Sequence, residues 1–328
     1  MWGLVDQGNS YSDYANYESE VGPQPAGLFQ ASIAGIGHLV AFTEWQKIAE
    51  LKINNLIAGA SDVFRSGPVH DALMPGVEAH LSQVKRAFSP QVYQARGHWD
   101  LSLEYFWFAS LSRLLLRIQR YRHGGAVLIT PGNSSRGLNI KYGLPYKRLR
   151  RALERRAILT VSETAASDQI FEDYLDIDAD ELPVDLYLDE SITGDNVEDS
   201  RREIDGTLWF ISLLSRVDGL VLLNRHLELR GFGVEITDKE EPSSISLAGN
   251  RRATKLRKLD YNYYGTRHRS MMRYCARVPG SVGFVISQDG DVRAMTVVQG
   301  SLLVWENIKL QLPDFVPRRS SRNKKSSS

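Results

Sequence analysis

The sequence predicts a mixed α/β protein. Two observations carry the prediction: long segments whose apolar residues recur at helical spacing, and short apolar runs bounded by glycine and proline that read as strands. A third bounds it. The chain has 328 residues, 42% hydrophobic and 24% charged, which is ordinary for a globular protein with room for two domains.

Residues 1–25 read as a flexible leader. The stretch "MWGLVDQGNSYSDYANYESE" has neither a basic n-region nor an apolar core, so no secretory signal is expected and the chain should stay in the cytoplasm. The single cysteine, Cys275, excludes an internal disulfide framework and a cysteine-based zinc cluster, and it fits a reducing compartment. Lying within a helical pattern, it reads as a small buried hydrophobe. The apolar run Phe29 to Phe42 contains Gly35, Gly37 and His38 and falls short of the roughly 20 residues that span a bilayer. It is expected to be core, and no membrane partner is expected.

The next segments are mostly helical. In "HWDLSLEYFWFASLSRLLLRIQRYR", Leu103, Phe106, Phe108, Leu111, Leu114 and Leu115 fall at helical spacing. "HGGAVLITP" then reads as a strand, and "LNIKYGLPYKRLRRALERRA" as an extended stretch that becomes a basic helix, Lys147 to Arg156, with a solvated face as its default reading. The acidic, turn-rich "DIDADELPVDLYLDESITGDNVEDS" marks a domain boundary near Gly194 to Arg201. Beyond it the pattern predicts a helix from Ile204 to Arg216, a strand from Asp218 to Leu223, and a second strand, "ELRGFGVEI". A basic helix around "RRATKLRKLD" follows, and the Asp-Gly pair between "VGFVIS" and "DVRAMTVV" predicts a closing hairpin. The tail "PRRSSRNKKSSS" is Ser-rich and should be disordered. It carries Arg318, Arg319, Arg322, Lys324 and Lys325; without those five the formal net charge falls from +1 to about −4, which argues against duplex nucleic acid as a partner of the folded part.

The segment "YYGTRHRSMM" places Arg267, His268 and Arg269 in the first turn of an expected helix. Helix N-termini already carry partial positive charge and free amides, so arginine is disfavoured there. With Thr266 as N-cap, the third position after it is Arg269 and no capping box closes the end. The arginines therefore pair with carboxylates, or the helix start receives an anion such as phosphate, with Gly265 supplying the turn. A second feature bears on the choice. In "SRVDGLVLL", Asp218 and Gly219 open a strongly apolar strand, where a carboxylate at the sheet edge can serve magnesium or manganese held by phosphates.

Together the Asp218-Gly219 pair, the glycine-flanked "GFG" (Gly231, Phe232, Gly233), "GTRHRS" opening a helix, and a strand ending at Ser287 resemble the diadenylate cyclase (DAC) domain, over roughly Ile204 to Leu312. The resemblance implies a mixed central sheet flanked by helices (residues 196–315), preceded by a mixed α/β N-terminal domain (26–195) and followed by the tail (316–328). It implies a nucleotidyltransferase that joins two ATP into cyclic di-AMP, a second messenger, releasing two pyrophosphates in a homodimer or higher homo-oligomer with facing sites. Asp218 would hold Mg2+ or Mn2+ and help activate the attacking 3′-hydroxyl. Gly219 would let the nucleotide approach, and Thr266, Arg267, His268 and Arg269 would hold the phosphates. Leu220, Gly231, Phe232, Gly233, Gly265 and Ser287 would complete the ATP site. The sequence departs from the family pattern twice. Leu220 replaces the usual alanine after Asp-Gly, and Gln288-Asp289 replaces two glutamates, leaving Asp289 as the second metal candidate. These departures leave open a degenerate domain that senses ATP or a cyclic dinucleotide without making one. In the N-terminal half, "RHGGAVLITP" with "LNIKYGLPYKRLRRALE" resembles the sensor region called DACNV, which would supply an unknown input signal; an oligomerisation domain without ligand is the alternative.

Overall fold

The computed structural model describes residues 29–310, apart from residues 44–45, 53–54, 59–60, 90–92, 94–98, 174–183 and 289. The expected leader and tail lie outside the described residues. The described part begins with an antiparallel meander of four strands: β1 (Phe29–Gly35), β2 (His38–Thr43), β3 (Gln46–Lys52) and β4 (Asn55–Ala58). The sequence reading made Phe29 to Phe42 core, and the structure corrects it. Gly37, at φ 68°, closes a tight turn between Gly35 and His38. The run is thereby folded back on itself; Val40 is buried while Ile33 is 80% exposed and Ile36 fully so.

The remaining elements are α1 (Pro68–Lys85), α2 (Trp99–Arg120), β5 (Gly125–Thr130), β6 (Leu138–Tyr146), α3 (Arg148–Asp173), α4 (Val184–Leu214), β7 (Leu220–Asn224), β8 (Leu229–Ile236), β9 (Ile245–Ala248), β10 (Leu256–Lys258), α5 (Thr266–Arg277), β11 (Val282–Ile286), β12 (Val292–Val298) and β13 (Ser301–Trp305). The nine strands from β5 onward form one sheet in the order β10-β9-β13-β12-β11-β5-β7-β8-β6. It is mixed: β5 runs parallel to β7 and β13 to β9, and the other neighbours are antiparallel. The mixed α/β class and a mixed sheet flanked by helices are as the sequence and its resemblance led one to expect.

Period-2 alternation divides the core in two. Val127 and Ile129 of β5, Val221 and Leu223 of β7, and Phe284 and Ile286 of β11 point to one face, against Leu73, Val77, Trp107, Leu111, Leu149 and Leu208 from α1 to α4. Ala126 and Leu128, Leu220 and Leu222, and Val285 point to the other, against Met271, Met272, Tyr274 and Cys275 of α5. A sheet with both faces covered needs strands apolar at every position, and β5, β7 and β11 are buried throughout. The helix read from Leu103, Phe108, Leu111, Leu114 and Leu115 is α2, with all five buried and Phe106 half-buried.

Two expectations meet a different structure. The boundary expected between residues 195 and 196 falls inside the continuous helix α4, and β5, from before it, is an interior strand of the sheet, bonded to β11 and β7. The expected basic helix around residues 251–260 is a turn followed by the edge strand β10. Asn250 decides this locally. Its side chain accepts from the Thr254 amide at 3.0 Å and donates to the Thr254 hydroxyl at 2.7 Å, while Ala253 takes φ 54°. The side chain thus offers the backbone an alternative to helical bonding. Among the described residues no helix is long and apolar enough to cross a membrane.

α5 lies close to the sheet because Gly283 on β11 has no side chain: a Cβ there would meet the Met271 side chain and would sit 3.0 Å from Cys275 Sγ. Gly283→Val should lift the helix from the sheet and destabilise the fold by about 1–3 kcal/mol, measured by urea unfolding; an unchanged midpoint would show that the Met271 side chain simply gives way.

Candidate functional site

One end of the sheet gathers most of the residues singled out in the sequence. The parallel register Val127↔Val221, continued toward the strand starts, sets Gly125 level with Gly219 and Gly124 level with Asp218. The antiparallel register of β5 with β11 pairs Gly125 with Ile286, so Ser287 lies beside the same corner. Arg267 reaches in from the first turn of α5: a Cβ on Gly124 would stand 2.8 Å from Arg267 Nη1, 3.1 Å from the Ile286 carbonyl and 3.6 Å from Gln288 Cγ. Arg267 and Gln288 thus meet at Gly124, Ser287 follows the last residue of β11, and Asp218-Gly219 leads into β7 at the same end of the sheet; Asp218 and Arg267 are exposed.

Gly219 must be glycine for two reasons. Its φ is 106°, in the region L-residues avoid, and a Cβ would sit 2.6 Å from the Gly233 carbonyl carbon and 2.8 Å from the Val234 amide. Gly233 in turn lies under Tyr142, whose ring stacks on Phe232 at 4.9 Å. Asp218-Gly219 and Phe232-Gly233 therefore form one wall, with the aromatic pair on the surface. Gly231 is buried within the β6–β8 ladder, where a Cβ would stand 2.7 Å from the Tyr142 carbonyl, so it allows strands to meet and does not face the corner. Leu220, expected at the nucleotide, is 5% exposed and packs with Met271 and Met272 in the core beneath α5. Its larger side chain fills core.

The N-cap of α5 is Gly265 and not Thr266. Gly265 has φ −65° and ψ 166°, an extended conformation any residue adopts, and no side chain caps the helix. No acidic residue occupies the first turn. The first helical bond runs from the Arg269 amide to the Gly265 carbonyl, so the amides of Thr266, Arg267 and His268 precede the internal ladder. Arg267 is exposed at this end, whereas Arg269 lies over the Tyr261 ring at 5.9 Å.

His268 is held by a residue the sequence reading missed. Arg293 Nη1 lies 3.1 Å from His268 Nε2. A guanidinium can only donate, so Nε2 accepts, the ring is neutral, and the proton sits on Nδ1. Burial, then the positive charges of Arg293 and Arg267, push the His268 pKa down to about 4. Arg293 is itself placed among Glu306 at 3.6 Å and Asp291 at 3.8 Å, and the Tyr264 hydroxyl donates to Glu306 at 2.7 Å. Gly124, Tyr142 and Arg293 were the residues overlooked. The double glycine of "HGGAVLITP" and an arginine inside the apolar "DVRAMTVV" were the available signals.

Ser287 closes the hairpin: its amide donates to the Asp291 carbonyl at 2.9 Å and its hydroxyl accepts from the Asp291 amide at 3.1 Å. Asp289 lies outside the described residues. Among the described residues no three His, Cys, Asp or Glu side chains cluster as a metal set. A single exposed carboxylate such as Asp218 suits Mg2+ that takes its other ligands from phosphates and water. No family model matches the chain, and no curated protein sequence matches it.

The folded pKa of His268 lies below the ordinary value near 6.5, so the unfolded chain takes up the proton first as pH falls. Its contribution to stability is present above that value and lost toward pH 4. Arg293→Met should raise the His268 pKa by roughly one unit, read from the imidazole carbon-bound proton shifts in an NMR titration; a pKa unmoved in the folded variant would show that burial alone sets it.

Proposed function

We propose that the chain is a metal-dependent diadenylate cyclase that condenses two ATP into cyclic di-AMP and releases two pyrophosphates. The observation that supports this most is the placement, at one end of the sheet, of Asp218 ahead of β7, the Gly219–Gly233 backbone wall, and Arg267 on a helix start with no side-chain cap. Phosphoryl transfer is catalysed largely by positioning and by stabilising charge, and this corner offers both.

In each half-reaction a 3′-hydroxyl oxygen bonds to the α-phosphorus of the other ATP and the bond to the bridging oxygen of pyrophosphate breaks. The hydroxyl proton leaves toward the Asp218 side. Mg2+ or Mn2+ held by Asp218 would supply charge neutralisation at the phosphates. Arg267 and the free amides of the first α5 turn meet the charge gathering on the leaving pyrophosphate. His268, neutral with its proton on Nδ1, serves as a hydrogen-bond donor or a spacer rather than as a cationic acid. Two such sites must face each other, so a homodimer or higher homo-oligomer is part of the proposal, as is an input signal read in the N-terminal half.

A second reading is a nucleotide sensor without turnover. Gln288 favours it, because an amide stands beside Arg267 where a carboxylate would serve a metal. Leu220 does not favour it, since its side chain is in the core.

Purified protein incubated with ATP and Mn2+ or Mg2+ should yield cyclic di-AMP and pyrophosphate, and Asp218→Asn should lower the rate at least about a hundredfold. Tight ATP binding with no product would leave the sensor. The same assay on a chain lacking β1 to β4 tests the input, which an unchanged rate and response would remove. Specific activity should fall on dilution as dimers dissociate; full activity from protein shown to be monomeric would refute facing sites.

A further inference from the structure

A cavity lies among the helices that cover one face of the sheet. It has a volume of about 190 Å³ and is lined by α1 (Gly76, His80), α2 (Trp107), α3 (Arg150, Glu154) and the β7–β8 turn (His226). That turn is at the opposite end of β7 from Asp218. The space is shaped by close packing: Gly76 sits against the Arg225 carbonyl, and Trp107, 1% exposed, forms the apolar wall.

The polar groups here are incompletely used. His80 is 7% exposed and its ring has no hydrogen-bond partner among the described residues. Burial pushes its pKa down to about 4, so it is a neutral donor and acceptor. An imidazole that opens onto a cavity without a protein partner takes its hydrogen bonds from whatever fills the space, water or ligand. Beside it, Arg150 Nε donates to Glu154 Oε1 at 2.9 Å and Nη1 to Glu228 Oε1 at 2.8 Å, which leaves Nη2 and Glu154 Oε2 with capacity to spare. Asn224 fixes Glu228 from behind at 2.8 Å. Burial also lowers the His226 pKa, so the second imidazole is biased to neutral.

The cavity thus presents one cation, one anion, a neutral imidazole in its depth and an indole wall. We propose that it binds a small zwitterion of amino-acid type, carboxylate toward Arg150 and ammonium toward Glu154, with His80 hydrogen-bonded to a polar group on the ligand's remainder. Arg150 and Glu154 already pair with each other, so a zwitterion, which uses the spare Nη2 donor and the spare Oε2 acceptor together, keeps the set balanced, whereas a singly charged ligand uses one of them and adds an unbalanced charge. The volume equals roughly six waters' share of liquid, enough for a molecule of that size. The inference is independent of the nucleotide corner, since none of its residues is shared.

The test uses the full chain, titrated calorimetrically with the standard L-amino acids, and with propionate and ethylamine as single-charge controls. At least one amino acid should bind and raise Tm, with each control weaker by at least about tenfold. Glu154→Gln and Ala79→Leu should each weaken binding at least about tenfold while circular dichroism stays native; Ala79 of α1 also lines the cavity, so the second variant fills it while keeping its charged groups. No binding by any amino acid at millimolar concentration would overturn the proposal. So would binding of the controls as tight as that of the zwitterion, or binding undiminished in folded Ala79→Leu, which would put the ligand elsewhere.

Discussion

β5 has no exposed residue, and both of its edges are bonded, to β7 on one side and β11 on the other. A strand buried on two faces and two edges forces cover above and below, and the rest of the architecture follows from that requirement. One face receives α1 to α4, and the other receives α5. Because α5 is the cover for the second face, its N-terminus arrives at the corner where β5 and β7 begin. The side chains that hold it down are Met271, Met272, Tyr274 and Cys275, and burial of each of the two methionines contributes roughly 1.5–3 kcal/mol. That packing fixes the position of Arg267 and His268. Burial also pushes the Cys275 thiol up to about 12, so it behaves as a packing group.

The corner is held electrostatically as well as sterically. Arg293 projects from β12 on the α5 side of the sheet, among Asp291, Glu306 and the neutral ring of His268. Its charge is offset by carboxylates on its own side, and its donor fixes the imidazole tautomer. Asp238, 6% exposed at the end of β8, pairs with Arg277 at the far end of α5. The helix is thus tied to strands at both termini, the first through His268 and the last through Arg277.

Much of this was legible in the chain. The apolar runs of β5, β7 and β11 carried no alternation because both sheet faces are buried, so the sequence predicted strands without telling which side each residue faces. The α2 helix announced itself through a wide apolar stripe. Asp218-Gly219 and the arginines of α5 were noticed because each sits where local physics disfavours it. What stayed hidden depended on distant partners. Arg293 gains its meaning from His268, and Gly124 from Arg267, and no local pattern records either contact. Leu220 was assigned to the ATP site because a strand start leaves open whether a side chain points to solvent or to core. The segment 251–260 read as helix from its basic composition, and two bonds from Asn250 were enough to prevent it.

The central position of β5 also constrains the order of assembly. Its partners are Val221 to Asn224 and Val282 to Ile286, both far later in the chain. During synthesis β5 must wait, both edges open, until those strands emerge, and loop closure over such separations slows folding. An apolar strand exposed in that interval is a hazard for association with other chains. The helices α1 to α4 give one face of β5 something to lean on in the meantime, and only the arrival of α5 and β11 makes the corner with Asp218 and Arg267 exist at all.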